Sequence, residues 1–421
     1  MRFLPGDLVN GVSRRLSSSA LAPVWYRLNA QAFSMSQPRR LVLASDARHY
    51  TAHQKFAPIL RHAPLLARRF GIVIETMSLE DLSAAGPGAL DGAAALGLML
   101  DFDASAHDIG VLLEDVVAPI RARGAKIILF DGDDDLGVLW GDALAAADIC
   151  VKKHAYRDRA AYGRETIGKS NLTDHVARTY GQSFKGDMIP RSGGLPAADA
   201  AKIRVGWNIA LDDKIAALSR RLPRPDHDRK DIDILCRASV ADAVWTFPMR
   251  DAAVRRAETL ADDFRVHAPT DRVSQAAYTG ELQRSRISLS PFGYGEICWR
   301  DFESILAGAL LVKPSMEHVE TAPDLFVPGE TYVPVAWDYS DLAEVAARYL
   351  DDEPLRRRIA EQARGRLLAA LSGEWFVERF EETVVRPLLR AGSGVSSVLH
   401  PPAPAASGVS TSRDCAEPST Q

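Results

Sequence analysis

The sequence predicts an α/β protein built from two Rossmann-like halves that face each other across a cleft. Short runs rich in Val, Ile and Leu alternate with helical patterns, which is typical of parallel sheets covered by helices. The series occurs twice, before and after a stretch rich in Pro, Gly and charged residues at 191–230. A length of 421 residues, 47% of them hydrophobic, suits two domains with extensions.

Each half contains five predicted strands. Those of the first half are Leu41–Ser45, Ile72–Thr76, Leu96–Leu100, Lys126–Asp131 and Asp148–Lys152, with helices between them such as Ala52–Arg69 and Ile109–Arg123. Those of the second half are Ile232–Arg237, Phe264–Ala268, Ile287–Ser290, Ala309–Lys313 and Tyr332–Val335. Its predicted helices are Met249–Asp262, Ser274–Arg284, Trp299–Ala307, Ser340–Leu350 and Pro354–Leu371. In such sheets ligands bind at the carboxyl ends of the strands, so loops from both halves are expected at one site.

These patterns divide the chain into six parts. We predict an N-terminal extension at 1–37, a first Rossmann-like domain at 38–195, an inter-domain linker region at 196–230 and a second Rossmann-like domain at 231–373. A helix at 374–391 can cross back to the first domain. The tail at 392–421 is rich in Ser, Pro and Ala, and we expect it to be disordered. The apolar residues of Val9–Phe33 can either pack on the domain or contact a membrane surface.

Composition narrows the functional classes. A formal net charge of −4 argues against nucleic-acid binding over a broad surface. The four cysteines are widely separated, which gives neither a disulfide framework nor a CxxC metal pair. No run of about 18 apolar residues is present. Together these features indicate a cytoplasmic protein, with peripheral contact at the inner face of the membrane as an open alternative.

The segment from Gly293 to Glu303 carries the sharpest chemical signal. Gly293 and Gly295 allow the close backbone approach that a loop over a phosphate needs, and a helix with free N–H groups follows. Arg300 and Glu303 are three residues apart and can share one helical face. A guanidinium suits a diphosphate and a carboxylate suits the hydroxyls of a ribose. Tyr294, between the glycines, can flank a ligand.

This segment resembles the donor-binding region of GT-B glycosyltransferases of the group-one and exostosin-like kind. Gly293-Tyr-Gly295 followed by Arg300 and Glu303 matches the exostosin-like form, and Glu303–Gly308 with the apolar Leu310–Val312 matches the group-one form. The clear match covers residues 286–371, whereas the first half resembles the family in architecture only. Many retaining relatives carry a second glutamate eight positions before the ribose-binding one. Here that position is Gly295, and Glu296, one residue later, either takes the catalytic role or is a loop residue.

The resemblance implies a nucleotide-sugar-dependent glycosyltransferase that makes a surface polysaccharide or glycoconjugate. Its expected partners are a nucleotide-sugar donor and a glycan, lipid-linked or protein acceptor, with no nucleic acid. No cofactor is expected, because the nucleotide sugar is a co-substrate. Two alternatives stay open: a nucleotide-sugar epimerase of the same architecture, and a catalytically silent nucleotide-binding or scaffold protein.

Secondary candidates follow other predicted strands. Arg237 and Lys313 can reach a donor phosphate or can form ordinary ion pairs. Asp46 and His49 follow the first strand, and either can serve as the base for the acceptor hydroxyl or have a structural role. Lys152 and Lys153 can bind an anionic acceptor or the donor diphosphate, or can belong to a solvated basic face.

The acidic run Asp131–Asp135 raises the question of a metal ion. An Asp-x-Asp at a strand end can hold a divalent cation against a diphosphate. The run lies far in sequence from the glycine loop, and a turn with helix-capping carboxylates is the favoured explanation. We therefore expect no metal requirement.

Overall fold

Most strands of the two halves form two separate sheets. The computed structural model describes residues 39–45, 50–102, 104–184, 194–240 and 245–389. Its strands are β1 Arg39–Ser45, β2 Ile72–Ser78, β3 Ala93–Met99, β4 Lys126–Phe130, β5 Ile149–Lys152, β6 His154–Tyr156, β7 Ile203–Val205, β8 Ile232–Leu235, β9 Val266–His267, β10 Ser285–Leu289, β11 Leu310–Pro314, β12 Val319–Thr321 and β13 Val333–Val335. The first sheet has the order β2-β1-β3-β4-β5-β7 and the second β13-β11-β10-β8-β9.

Helices connect and cover these strands. They are α1 Tyr50–Phe70, α2 Leu79–Ala85, α3 Ala106–Leu112, α4 Ala118–Ala122, α5 Gly141–Ala146, α6 Asn171–Tyr180, α7 Ala197–Ala200, α8 Asp213–Arg221, α9 Phe247–Glu258, α10 Gln275–Arg284, α11 Trp299–Leu306, α12 Leu342–Asp351, α13 Glu353–Ala370 and α14 Gly373–Phe380. Single 3₁₀ turns lie at Pro87–Leu90, Arg159–Gly163, Ile209–Leu211 and His227–Arg229, and π-helical stretches at Leu113–Val117 and Glu381–Leu389.

The predicted fold class is confirmed. The strand pairings within both sheets are parallel, for example β1 with β3 and β10 with β11. The strand centres are buried, because helices cover both faces of a parallel sheet and leave no solvated face. Two such sheets are the GT-B arrangement that the resemblance implies.

Two features tie the halves together. Strand β6 of the first half pairs with β12 of the second in an antiparallel ribbon, with His154 opposite Thr321. Asn208, just after β7, donates side-chain hydrogen bonds of 2.9 Å to Thr321 Oγ1 and 3.0 Å to the carbonyl oxygen of Pro323. Such pairing across a large sequence separation has no local sequence signature, and the sequence analysis did not predict it.

The region assigned to the linker contains part of the first sheet. Ile203–Val205 form β7, which pairs with β5 at the sheet edge. After the second half, α14 returns to the first: the Phe376 ring lies 5.2 Å from that of His62 and 5.0 Å from that of Trp207. The domain limits drawn from the sequence stay predictions, and residues 1–37 and 392–421 lie outside the described residues. No helix in the described part of the chain is long and apolar enough to cross a membrane.

Candidate functional site

The loop between β10 and α11 is stabilised by a buried ion pair on its interior side. Asp301, in the first turn of α11, accepts a hydrogen bond from the Cys298 N–H at 3.0 Å, which fixes the start of the helix. Its carboxylate also accepts hydrogen bonds from Ser290 Oγ at 2.6 Å and Lys313 Nζ at 3.1 Å. Lys313 and Asp301 are both fully buried. Lys313, a predicted donor-binding residue, therefore supports the loop from inside.

Arg300 and Arg237 join the strand ends beneath the loop. Arg300 donates hydrogen bonds to Ser290 Oγ at 3.1 Å and to the carbonyl oxygens of Arg237 at 2.8 Å and Pro291 at 3.2 Å. The Arg237 guanidinium pairs with both carboxylate oxygens of Glu281 at 2.7 Å. Of the two interpretations of Arg237, the structure shows the ion pair. Arg300 lies next to the glycine loop as expected, but its guanidinium positions backbone carbonyls.

Glu303 lies on α11 where the sequence analysis placed it and is only 4% exposed. Its Oε1 accepts a hydrogen bond from Gln275 Nε2 at 3.1 Å and pairs with Lys214 Nζ at 2.8 Å. Lys214 also lies over the Trp299 ring, 4.5 Å from its centroid. The carboxylate is thus held between α10 and the segment that joins the two sheets.

Arg250 is a candidate that the sequence analysis missed. It lies in the first turns of α9, and its Nη2 is 3.5 Å from where a Cβ on Gly293 would lie. Among the described residues its Nε is buried without a hydrogen-bond partner, and its guanidinium makes one hydrogen bond, a long 3.5 Å contact to the Ser239 carbonyl oxygen. Burial, and secondly the neighbouring Arg300, lower the pKa of Arg250. Tyr294, 48% exposed, lies with its ring centroid 6.0 Å from this guanidinium.

The glycine loop touches the acidic run of the first half. A Cβ on Gly295 would lie 1.5 Å from the Asp134 carbonyl oxygen, so only glycine fits there. The sequence distance between the two segments was therefore misleading, because the carboxyl ends of β4 and β10 meet in space. In the part of the chain that the structure describes, no group of three or more His, Cys, Asp or Glu side chains is arranged to hold a metal ion.

Glu296 follows Gly295 into the interior. Glu296 and His154 are both 0% exposed, and His154 Nε2 lies 3.2 Å from Glu296 Oε2. The second carboxylate oxygen lies 3.8 Å from His318 Nε2. Burial alone would raise the pKa of Glu296, but the hydrogen bond from His154 and the nearby His318 outweigh it and lower the pKa to about 2. The structure thus places this catalytic candidate as an ionised carboxylate between the two halves.

The two lysines predicted to bind an anion already have acidic partners. Lys152 Nζ pairs with Asp131 at 3.1 Å, and Lys153 Nζ with Asp134 at 2.5 Å. Asp135, fully buried, accepts a hydrogen bond from Ser170 Oγ at 2.9 Å, and burial raises its pKa to about 7. The acidic run and the lysines therefore form one buried network of alternating charge.

Lys55, unlike Lys152 and Lys153, has no ion pair with an acidic side chain among the described residues. It is buried, and the one hydrogen bond that its Nζ makes to a described residue is a 3.5 Å contact to the Trp207 carbonyl oxygen. Burial, and then the charge of Lys153, hold the pKa of Lys55 well below its ordinary value. The predicted bases Asp46 and His49, which precede it, lie outside the described residues and stay predictions.

Comparisons with known proteins bear on the second half. Residues 249–382 match the protein-family model described as glycosyl transferase-like, and this range contains the whole glycine loop, Glu303 and Arg250. This part of the chain is therefore similar to glycosyl transferase-like proteins. No curated protein matches the chain.

Solved structures give a more distant likeness to most of the chain. An α-glucosyltransferase in complex with UDP is 10% identical, with a TM-score of 0.43 over 82% of this chain and 99% of that one. HepE of Anabaena with UDP-glucose is 11% identical, with a TM-score of 0.41 over 82% and 99%. A glycosyltransferase from Rickettsia africae is 10% identical, with a TM-score of 0.44 over 84% and 100%.

The chemistry available at the glycosyltransferase-like domain follows from its polar groups. Arg250 offers unused N–H donors beside a glycine turn, which suits a phosphate oxygen. Glu303 offers a carboxylate on the neighbouring helix. The sequence signal that could have identified Arg250 is its place in the helix after β8, whose start lies at the carboxyl edge of the sheet.

Proposed function

We propose that this protein transfers a sugar from a nucleotide-sugar donor to a hydroxyl acceptor in the synthesis of a surface polysaccharide or glycoconjugate. The observation that carries the proposal is the position of Arg250, a guanidinium with an unused buried donor, beside the glycine loop of a domain that matches the glycosyl transferase-like family. The acceptor is a glycan, a lipid-linked sugar or a protein. We place the reaction in the cytoplasm, at the inner face of the membrane where the acceptor is lipid-linked.

In this proposal the donor diphosphate lies against Arg250, with Arg300 holding the surrounding carbonyls. Glu303 accepts hydrogen bonds from the ribose hydroxyls and exchanges part of its contact with Lys214 for them. As the bond from the anomeric carbon to the diphosphate breaks, negative charge develops on the leaving phosphate. A preformed guanidinium stabilises that charge more than it stabilises the bound donor. Asp46 and His49 stay the candidates for the base that removes the acceptor proton.

We propose that cationic side chains neutralise the diphosphate and that no metal cofactor takes part. The test is a thermal-shift panel of UDP, GDP, ADP, dTDP and CMP, with and without EDTA. We expect one nucleotide to raise the melting temperature in both conditions. An effect that disappears with EDTA would contradict the metal-free part of the proposal and direct attention to Asp131–Asp135.

Variants separate the roles of the residues. Arg250→Gln removes one charge-assisted contact and should weaken binding of that nucleotide at least about 10-fold, which corresponds to about 1.4 kcal/mol. Glu303→Ala should weaken binding of the nucleoside diphosphate and leave binding of inorganic pyrophosphate unchanged, because pyrophosphate has no ribose. Arg255→Gln is the matched control, since this arginine is on the same helix and pairs with Asp251 on the surface. Equal effects of Arg250→Gln and Arg255→Gln would contradict the site.

Product analysis separates transfer from its alternatives. Incubation of the matching nucleotide sugar without an acceptor should leave the sugar unchanged, whereas an epimerase would convert it. With extracts containing candidate acceptors, the labelled sugar should move to an acceptor, and Arg250→Gln should abolish this. Nucleotide binding without any turnover across acceptors would favour a silent binding protein.

A further inference from the structure

A second polar pocket lies in the glycosyltransferase-like half, away from the candidate donor site. Its volume is about 170 Å³, and it lies between the segment that precedes β8, the end of α11 and the middle of α13. Helix α11 starts at the glycine loop and reaches this pocket at Gly308. At about 1.5 Å per residue the two ends are roughly 12 Å apart along the helix. Neither Arg250 nor Glu303 lines the pocket, which is therefore separate from their donor contacts.

Small residues create the space. Gly308 ends α11 with φ of 70°, and a Cβ there would lie 2.5 Å from Pro225 Cβ, so the chain before β8 passes directly over the helix end. On α13 the lining residues Ala360 and Gly365 leave room that longer side chains would fill. The volume is below the ~300 Å³ that small-molecule sites typically need. It therefore fits one compact polar group and excludes a whole nucleotide.

The lining is positively charged without matching acidic partners. Arg224 and Arg364 both line the pocket, and neither has an ion pair with any described residue. Within the described parts of the chain, Arg364 Nε is buried and has no hydrogen-bond partner, which leaves a donor of a charged group unsatisfied. The one lining carboxylate is Glu361, which is largely exposed and lies 3.8 Å from His227 Nε2.

Further cations surround the pocket. Lys230 donates a hydrogen bond of 3.4 Å to the Ala307 carbonyl oxygen, so the negative end of α11 is already compensated. Burial, followed by the charges of Lys230 and Arg357, lowers the pKa of His227. Two guanidiniums that have no ion pair with a described residue line one small cavity, and guanidinium N–H donors suit the oxygens of a tetrahedral oxyanion.

We propose that this pocket binds a phosphate group between Arg224 and Arg364. The group can belong to a small phosphorylated molecule or to the headgroup of a membrane lipid, since both present the same oxyanion. The site is independent of the donor site and stands even if the protein transfers no sugar.

The first measurement is calorimetric titration of inorganic phosphate into the full chain at constant ionic strength. We expect saturable binding that weakens at least about 10-fold in Arg364→Gln and in Arg224→Gln. Arg358→Gln is the matched control, because Arg358 is exposed on the same helix and does not line the pocket. Glu361→Gln should tighten binding, since it removes the one acidic group. Because Arg224 is exposed, its variant keeps the test valid if Arg364→Gln folds poorly.

Three outcomes would overturn the proposal. These are no saturable phosphate binding by the wild type, unchanged binding in both arginine variants, and loss of binding in Arg250→Gln with retention in Arg364→Gln. The last result would assign the phosphate to the donor site. Vesicles of phosphatidylcholine with and without phosphatidylglycerol then distinguish a lipid headgroup from a small soluble phosphorylated molecule. Binding to phosphatidylglycerol vesicles that Arg364→Gln abolishes supports a lipid headgroup, and binding of free phosphate alone supports a soluble ligand.

Discussion

The buried contact between Glu296 and His154 gives a quantitative prediction. The carboxylate lies where the glycine loop of the second sheet meets the strand ends of the first, and neither side chain is exposed. Its pKa falls from the ordinary 4.5 to about 2. At about 1.4 kcal/mol for each pH unit, this difference corresponds to roughly 3 kcal/mol of stability at neutral pH.

The sign of the pH dependence follows from the lowered pKa. Above pH 4.5 the carboxylate is ionised in both the folded and the unfolded chain, so the contribution is fully present. As the pH falls from 4.5 to about 2, the unfolded chain takes up the proton first and the contribution is lost. Glu296→Gln should therefore be less stable than the wild type by up to about 3 kcal/mol at pH 7, with a gap that closes in acid.

The assay is urea unfolding followed by tryptophan fluorescence at pH 7, 5.5, 4.5 and 3. Glu330→Gln is the control, because Glu330 pairs with Arg366 where both side chains are about half exposed. Surface pairs of this kind contribute about 0–1 kcal/mol. A Glu296→Gln variant as stable as the control at pH 7, or a deficit that stays constant down to pH 3, would refute the reasoning.

Three further predictions concern the network around this contact. Gly295→Ala should destabilise by about 3 kcal/mol, because its Cβ would collide with the Asp134 backbone, whereas Gly280→Ala, in open space, should be neutral or stabilising in the same unfolding assay. Lys55→Met should be more stable than the wild type by about 1 kcal/mol or more at pH 7. This gain should shrink as the pH approaches 10.5, because the lysine of the unfolded chain then also loses its proton. The stability of Asp135→Asn relative to the wild type should increase as the pH rises from 3.8 to about 7. The raised pKa of Asp135 stabilises the folded wild type at low pH, and this stabilisation is lost over that range. Equal pH profiles of stability for the two proteins would contradict this.

Local patterns were sufficient for most elements of the fold. The predicted helix Ala52–Arg69 is Tyr50–Phe70, and the predicted strand Lys126–Asp131 is Lys126–Phe130. Apolar runs and helical periodicity are properties of neighbouring residues, so the sequence displays them directly. The strand Ile203–Val205 was missed, because three residues are too few to produce a pattern.

The candidate site was predicted only in part. The glycine loop and the following helix lie where expected, since both depend on a short contiguous stretch. The partners of the charged residues were not predictable, because they come from segments distant in the chain. Lys313 with Asp301 and Lys152 with Asp131 are examples, and the open donor turned out to be that of Arg250.

The sequence by itself determined that this chain forms two parallel α/β sheets and that one glycine loop with its helix carries the resemblance to glycosyltransferases. Those properties depend on residue types within a few positions of one another. Only the tertiary structure decided which charges are neutralised, because a buried ion needs a partner within about 4 Å whatever the sequence separation. It also brought Gly295 against Asp134, since the strand ends of two different sheets meet there. Which side chains remain available to a ligand is therefore a property of the assembled fold.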